Sequence, residues 1–262
     1  MLGAATVTLL VALSVAGGLP APGWLAPLMA AGALATTAAF AVRERRASHP
    51  LIPLELLRSA RITLGLAGAF LGYLVLFGPL VLVPQLLAGH ESAVRIGLIL
   101  SALPAGFGVA ALTAEAVLPK GLRNPTRGSI GAGACALVMV MLIFMSSSTV
   151  GIIVLLGLAG LALGIFVPAN NALIMRTGAA STAGTLGGLV NMARGIGTTM
   201  GIALVTLTLH VGAGAGRGHP DGTLAFATLA AAAACAAVIA LTIKPLPQGG
   251  KARAPEATGA FS

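Results

Sequence analysis

Gly184-Thr185-Leu186-Gly187-Gly188-Leu189-Val190-Asn191-Met192-Ala193-Arg194-Gly195-Ile196-Gly197-Thr198-Thr199-Met200-Gly201 is the stretch whose reading decides the fold. At 100° per residue, Gly184, Gly188, Asn191 and Gly195 share one helical face, and Gly187, Arg194, Gly197 and Gly201 an adjacent one. Small residues four apart let backbones approach closely. That is how helices associate where lipid tails offer no hydrophobic drive between them. The pattern predicts a helix buried in a membrane bundle, and the same spacing recurs at Gly68/Gly72 and Gly160/Gly164.

The whole composition agrees. Of 262 residues, 57% are hydrophobic and 8% charged, whereas globular chains carry roughly 25% charged residues. A mean hydropathy of +1.01 leaves too little polar surface to cover a water-exposed globule. Disorder is excluded as well, because its precondition is low hydrophobicity. A net charge of +9 would suggest nucleic acid in a soluble protein. Here the Lys and Arg residues, Arg194 apart, sit between or at the edges of apolar stretches, so they read as loop charge that sets topology, with no nucleic-acid partner. Cys135 and Cys235 lie in apolar runs and behave as small hydrophobes.

Residues 1–42 contain no charged side chain, and Gly17-Gly18-Leu19-Pro20-Ala21-Pro22-Gly23 divides them into spans at about 1–18 and 24–42. A signal peptide would open with a positive segment, yet no Lys or Arg precedes residue 43 and more membrane follows. The stretch 43–61 is a surface connector with Arg43, Arg45, Arg46, Arg58 and Arg61 around a short amphipathic piece, Leu51 to Leu57. Six further spans follow at about 62–87, 95–118, 128–146, 150–175, 184–210 and 223–243, with a disordered tail at 244–262. The fold class is therefore all-α, a polytopic membrane bundle of about eight helices: two leading spans and a six-helix unit. Alternating the loops puts twelve Lys and Arg on one side. The other has only Arg95 and Arg217, and Arg194 is left inside a span. The positive-inside rule then predicts both termini in the cytoplasm of a bacterial inner membrane. Pro79 and Pro84 in the third span, Pro104 in the fourth and Pro168 in the sixth remove backbone donors and predict bends. The last six spans divide as three plus three, the arrangement of transporters built from paired repeats.

Four segments carry a family resemblance. They are Ser48-His49-Pro50-Leu51-Ile52-Pro53-Leu54, then Ser92-Ala93-Val94-Arg95-Ile96-Gly97 with Leu103-Pro104, then Gly160 to Asn171 through Pro168, and most strongly Gly187 to Gly197 continuing to Ala203 with its Asn-x-x-Arg-x-x-Gly core. Together they resemble the C-terminal portion of the fourteen-span drug:proton antiporter family (EmrB/QacA-like) of the major facilitator superfamily. The resemblance implies that the first two spans match that family's seventh and eighth helices and the other six its C-terminal half. It also implies that the N-terminal half lies outside this sequence, a reading to which Met1, placed within a helix, also points. The loop at 115–127 lacks the Asp-Arg pair that the family's pseudo-symmetric Gly-rich loop would lead one to expect.

Ionisable groups within the membrane are functional candidates. Arg194 either reaches a cavity or neighbouring carbonyls, or snorkels to the cytoplasmic interface. Glu115 is the acid within a predicted span, and it suits either proton antiport or interfacial pairing with Lys120 or Arg123. Asn170, Asn171 and Asn191 either meet a substrate or bridge helices. The helix-packing candidates are Gly184, Gly188, Gly197 and Gly201. His49, His90, His210 and His219 fall at span ends or loops without metal-ligand spacing, and no nucleophile-base pair or phosphate-cradling loop is present. The expectation is a non-enzyme without cofactor or metal: the C-terminal part of a proton-coupled multidrug efflux antiporter. It would move small organic compounds by alternating access, in a lipid bilayer and with its N-terminal half, on a proton gradient. The alternative is a non-transporting protein that packs against another integral membrane protein through its glycine faces.

Overall fold

The computed structural model describes residues 11, 24–46, 54–117, 124–145, 148–214 and 222–243. Within them every regular element is helical: α1 (Leu25–Arg46), α2 (Leu54–Arg58), α3 (Ala60–Leu87), α4 (Ala93–Val117), α5 (Asn124–Met145), α6 (Thr149–Thr177), a 3-10 turn (Ala180–Thr182), α7 (Ala183–Gly214) and α8 (Thr223–Thr242). Among the described residues six helices, α3 to α8, are long and apolar enough to cross a membrane. The chain is an all-helical polytopic bundle, as its composition predicts. The span expected at 1–18 lies outside the described residues apart from Val11, and the one expected at 24–42 falls on α1.

Several boundaries differ from the sequence reading, each for a local reason. Helix α1 continues past residue 42 to Arg46, because Arg and Glu are good helix formers once the chain leaves the apolar run. The described part of the connector's amphipathic piece, Leu54–Arg58, is helical and follows directly on Pro53. The divider expected from Pro119 to Arg127 is shorter, because α5 already begins at Asn124. Pro125 sits in its first turn, where a missing N–H costs nothing. Gly89, at φ 88°, ends α3, and the His90 and Glu91 amides donate back to the Leu87 carbonyl. Ser148 caps α6, its hydroxyl accepting from the Gly151 amide at 3.3 Å.

The helices touch through glycine. The α-carbons of Gly197 and Gly201 in α7 lie against the Phe70 and Leu74 carbonyls of α3. The constant offset between these partners means that the two helices run parallel. Gly65, Gly68 and Gly72 of α3 meet Ile174, Asn170 and Phe166 of α6 in descending order, so that pair is antiparallel. Gly160 and Gly164 rest on the Leu103 and Phe107 carbonyls of α4, and Gly131 of α5 meets the backbone of Ala162 and Phe166. Backbone contact of this kind maximises dispersion, which must hold the bundle together when lipid is as apolar as the side chains.

The arrangement has an internal symmetry. Exchanging α3–α4–α5 for α6–α7–α8 preserves the principal packing pairs: α3 on α7 corresponds to α6 on α4, and α3 on α8 to α6 on α5. The pairs α5 on α8 and α3 on α6 map onto themselves. The last such pair, α4 and α7, stands apart without substantial packing, and these are the two least buried spans. The core lies on the opposite side, where Leu82, Met139, Leu142, Leu156 and Phe226 are almost wholly enclosed. Elsewhere Leu112, Phe144 and Leu241 are more than 70% exposed, a surface suited to lipid as solvent.

Gly160→Ala is expected to destabilise the bundle by about 1–3 kcal/mol, because the added carbon meets the backbone of Leu103 and Phe107 rather than a movable side chain. Gly188→Ala, with nothing within 4 Å, is expected to leave stability unchanged. Thermal unfolding of both variants in detergent measures the contrast.

Candidate functional site

Around α3, the side that meets α6 (Gly65, Gly68, Gly72) is opposite the side that meets α7 (Phe70, Leu74), and Gly78 turns to Leu229 of α8. Tyr73, at 100° per residue, points away from α8, into the gap between α6 and α7. It is the single tyrosine of the chain and sits at the middle of α3. Arg194 comes to it from α7, with the guanidinium carbon 5.6 Å from the centroid of the Tyr73 ring. Arg194 lies about 16 Å along α7 from Ala183 at 1.5 Å per residue, within about 5 Å of the middle of the span Ala183–Val211. A β-carbon at Gly187, on the same side of α7, would lie 3.7 Å from the terminal methyl of Met175 of α6. The Arg194–Tyr73 pair therefore opens toward α6 and the gap left by α4.

Magnitudes define what this pair requires. A cation over an aromatic face gains about 0.5–2 kcal/mol, while an arginine at mid-bilayer costs about 2.5–3.5 kcal/mol even on the scale most favourable to it. Tyr73 offsets only part of that. Arg194 remains exposed, so its other N–H groups call for water, an anion or polar protein rather than hydrocarbon. Among the described residues the recorded ion pair is elsewhere: Arg95 with Glu91 at 2.9 Å, at the N-terminal end of α4, where the Thr149 hydroxyl also donates to Glu91 at 3.5 Å.

The two glycine faces of α7 have different fates. Gly197 and Gly201 form the seam with α3, but among the described residues Gly184, Gly188 and Gly195 meet nothing within 4 Å, and Asn191 beside them is exposed. Among the described residues no neighbouring helix packs on Gly184 or Gly188. Their face is turned away from α3, and α4, placed across the opening among the described helices, makes no substantial contact with α7.

The adjacent asparagines also separate. Asn170 is 5% exposed and its amide donates to the Gly65 carbonyl of α3 at 2.8 Å. A carbonyl has two lone pairs, so this bond adds to the helical ladder of α3. Asn170 therefore bridges helices, and Gly68 makes room for it, since a β-carbon there would lie 2.9 Å from its Oδ1. Asn171, on the side of α6 that carries Gly160 and Gly164, has a buried Oδ1 with no hydrogen-bond partner among the described residues. Glu115 is in α4, and its side chain lies outside the described residues, as do His49, His219 and the loop at 118–123. Pro79 is buried within α3, and Pro104 and Pro168 are exposed within α4 and α6; all three helices continue through them. No cluster of metal-ligating side chains occurs among the described residues.

A membrane bundle of two interleaved three-helix units is the repeat arrangement on which many secondary transporters are built. The family model described as Major Facilitator Superfamily matches residues 1–202, and the chain belongs to that superfamily, a family of transporters. No curated protein matches it significantly.

Tyr73 is the functional candidate that sequence reasoning missed. Its signal was available: a lone tyrosine at the centre of an apolar span, where a hydroxyl needs a reason to be. Asn170→Ala is expected to destabilise the bundle by about 0.6–1.7 kcal/mol, the range of interhelical polar contacts in membranes. Asn171→Ala is expected to change stability by less than about 0.5 kcal/mol. Unfolding in mixed detergent micelles compares the two.

Proposed function

We propose that this chain is the C-terminal portion of a proton-coupled multidrug efflux antiporter, exporting small organic compounds by alternating access, with a second six-helix half covering its open face. The observation that carries this reading is the exposed Arg194 over Tyr73 near mid-span, on the side bounded by the two least buried helices. An isolated bundle would present that charge to lipid, whereas a facing half would enclose it in a water-filled cavity. Superfamily membership supports transport, and the Asn191-x-x-Arg194-x-x-Gly197 segment supports the fourteen-span antiporter branch, from which proton coupling and broad organic substrates follow. The distribution of twelve against two loop cations supports cytoplasmic termini in a bacterial inner membrane. In alternating access two halves rock about a shared site. Pro104 and Pro168, which free carbonyls one turn back in α4 and α6, supply local compliance for that motion.

Single cysteines at matched depth test the open face. With Cys135 and Cys235 replaced by alanine, Gly188→Cys in α7 and Val238→Cys in α8 each lie about 6–8 Å from a helix end on the same side of the membrane. A membrane-impermeant maleimide is expected to label Gly188→Cys at least about tenfold faster, because a thiol reacts as the hydrated thiolate. Equal, slow labelling of both would mean that the α7 face lies in lipid. In vesicles holding this chain alone, uncoupler-sensitive movement of ethidium is expected to stay at the level of empty vesicles. Robust transport by the chain alone would overturn the half-transporter reading.

A further inference from the structure

We infer that Arg194 and Tyr73 form a subsite selective for the acidic group of an organic anion, an aromatic carboxylate being the simplest member of the class. The inference takes from the transporter reading only that the ligand is a substrate. A guanidinium held over a ring by a cation–π contact makes no hydrogen bond to a polar acceptor there and keeps its N–H donors available. Those donors are a planar fork that matches a carboxylate. The recorded contact of Arg194 is the ring of Tyr73 at 5.6 Å, and the recorded ion pair among the described residues is Glu91 with Arg95. Glu115, the acid of the neighbouring span, is carried by α4, which packs on α6 and stands apart from α7.

The surroundings favour an anion with an apolar body. Asn191, exposed one turn before Arg194 on α7, adds an amide donor at the edge of the same opening. Gly188 and Gly195, with nothing within 4 Å among the described residues, leave the adjacent face of α7 open. Tyr73 offers an aromatic surface, and Met175 of α6, itself exposed, lies near Gly187, two turns before Arg194 on α7. A cationic ligand would meet like charge near mid-depth, where screening by solvent is weakest.

Binding to the chain itself, purified in nanodiscs of neutral phosphatidylcholine, provides the test. The probes are 1-naphthoate and 1-naphthamide, which share a ring system and differ by one charge, with binding to empty nanodiscs subtracted. The chain is expected to bind naphthoate roughly 10- to 100-fold more tightly than the amide, as charge-assisted hydrogen bonds allow. Arg194→Gln is expected to abolish the preference, Arg194→Lys to retain part of it, and Tyr73→Leu to weaken naphthoate binding. Circular dichroism and thermal unfolding check that each variant is folded. Equal binding of the two probes, or a preference that survives Arg194→Gln, overturns the inference. The readout is binding by this chain alone, so its failure is distinguishable from failure of the half-transporter reading, which labelling and transport decide.

Discussion

The structure depends on backbone meeting backbone. In water, helices with these surfaces would be driven together by their apolar area; in lipid that drive vanishes, and only closer contact than lipid can make favours association. Gly160 against Leu103 and Phe107, and Gly197 and Gly201 against Phe70 and Leu74, are where the contact is made. Each joins a central helix to a peripheral one, and the two seams correspond under the exchange of the three-helix units. Because both peripheral helices are held from one side only, each keeps a face that none of the described helices covers.

That asymmetry places the candidate site. The two central helices enclose the apolar core on the α5–α8 side and turn their polar positions the other way. Tyr73 faces the gap because its neighbours along α3 are committed elsewhere: Gly72 to α6, Leu74 to α7 and Gly78 to α8. Arg194, one turn from Gly197, is carried toward Tyr73 by the same seam that anchors α7. A packing motif and a charge share one helix, and the first fixes where the second stands. Asn170 contributes differently, locking α3 to α6 through the Gly65 carbonyl so that the surface bearing Tyr73 is held by a buried polar bond.

Much of this was legible in the amino-acid sequence, because the bilayer imposes length and hydropathy on every span. The six long helices and their order follow from that constraint, with errors confined to ends such as Asn124–Arg127, where a proline reads as a breaker but is tolerated in a first turn. The glycine pairs announced close packing. What periodicity could not tell was which pairs find a partner inside the chain. Gly197 and Gly201 do, whereas Gly184 and Gly188, with the same spacing on the same helix, meet nothing within 4 Å among the described residues. Spacing describes a helix's own surface; the partner depends on tertiary placement. For the same reason the neighbours Asn170 and Asn171 read alike in sequence but sit 100° apart in the fold, one buried against α3 and the other turned toward α4.

Tyr73 shows where a residue-by-residue reading falls short. By itself it is an aromatic in an apolar run, and Arg194 by itself is a charge with two destinations, a cavity or the interface. Only the register of α3 against α7 brings them together, and that register is set by glycines carrying no chemistry of their own. In a bundle held by close approach, moving α7 along α3 by one residue would bring side chains where only glycine fits. The guanidinium would leave the ring as a consequence. Position of the charge and stability of the seam are thus the same constraint, so a substitution in the seam that preserves every polar residue is still a change to the site.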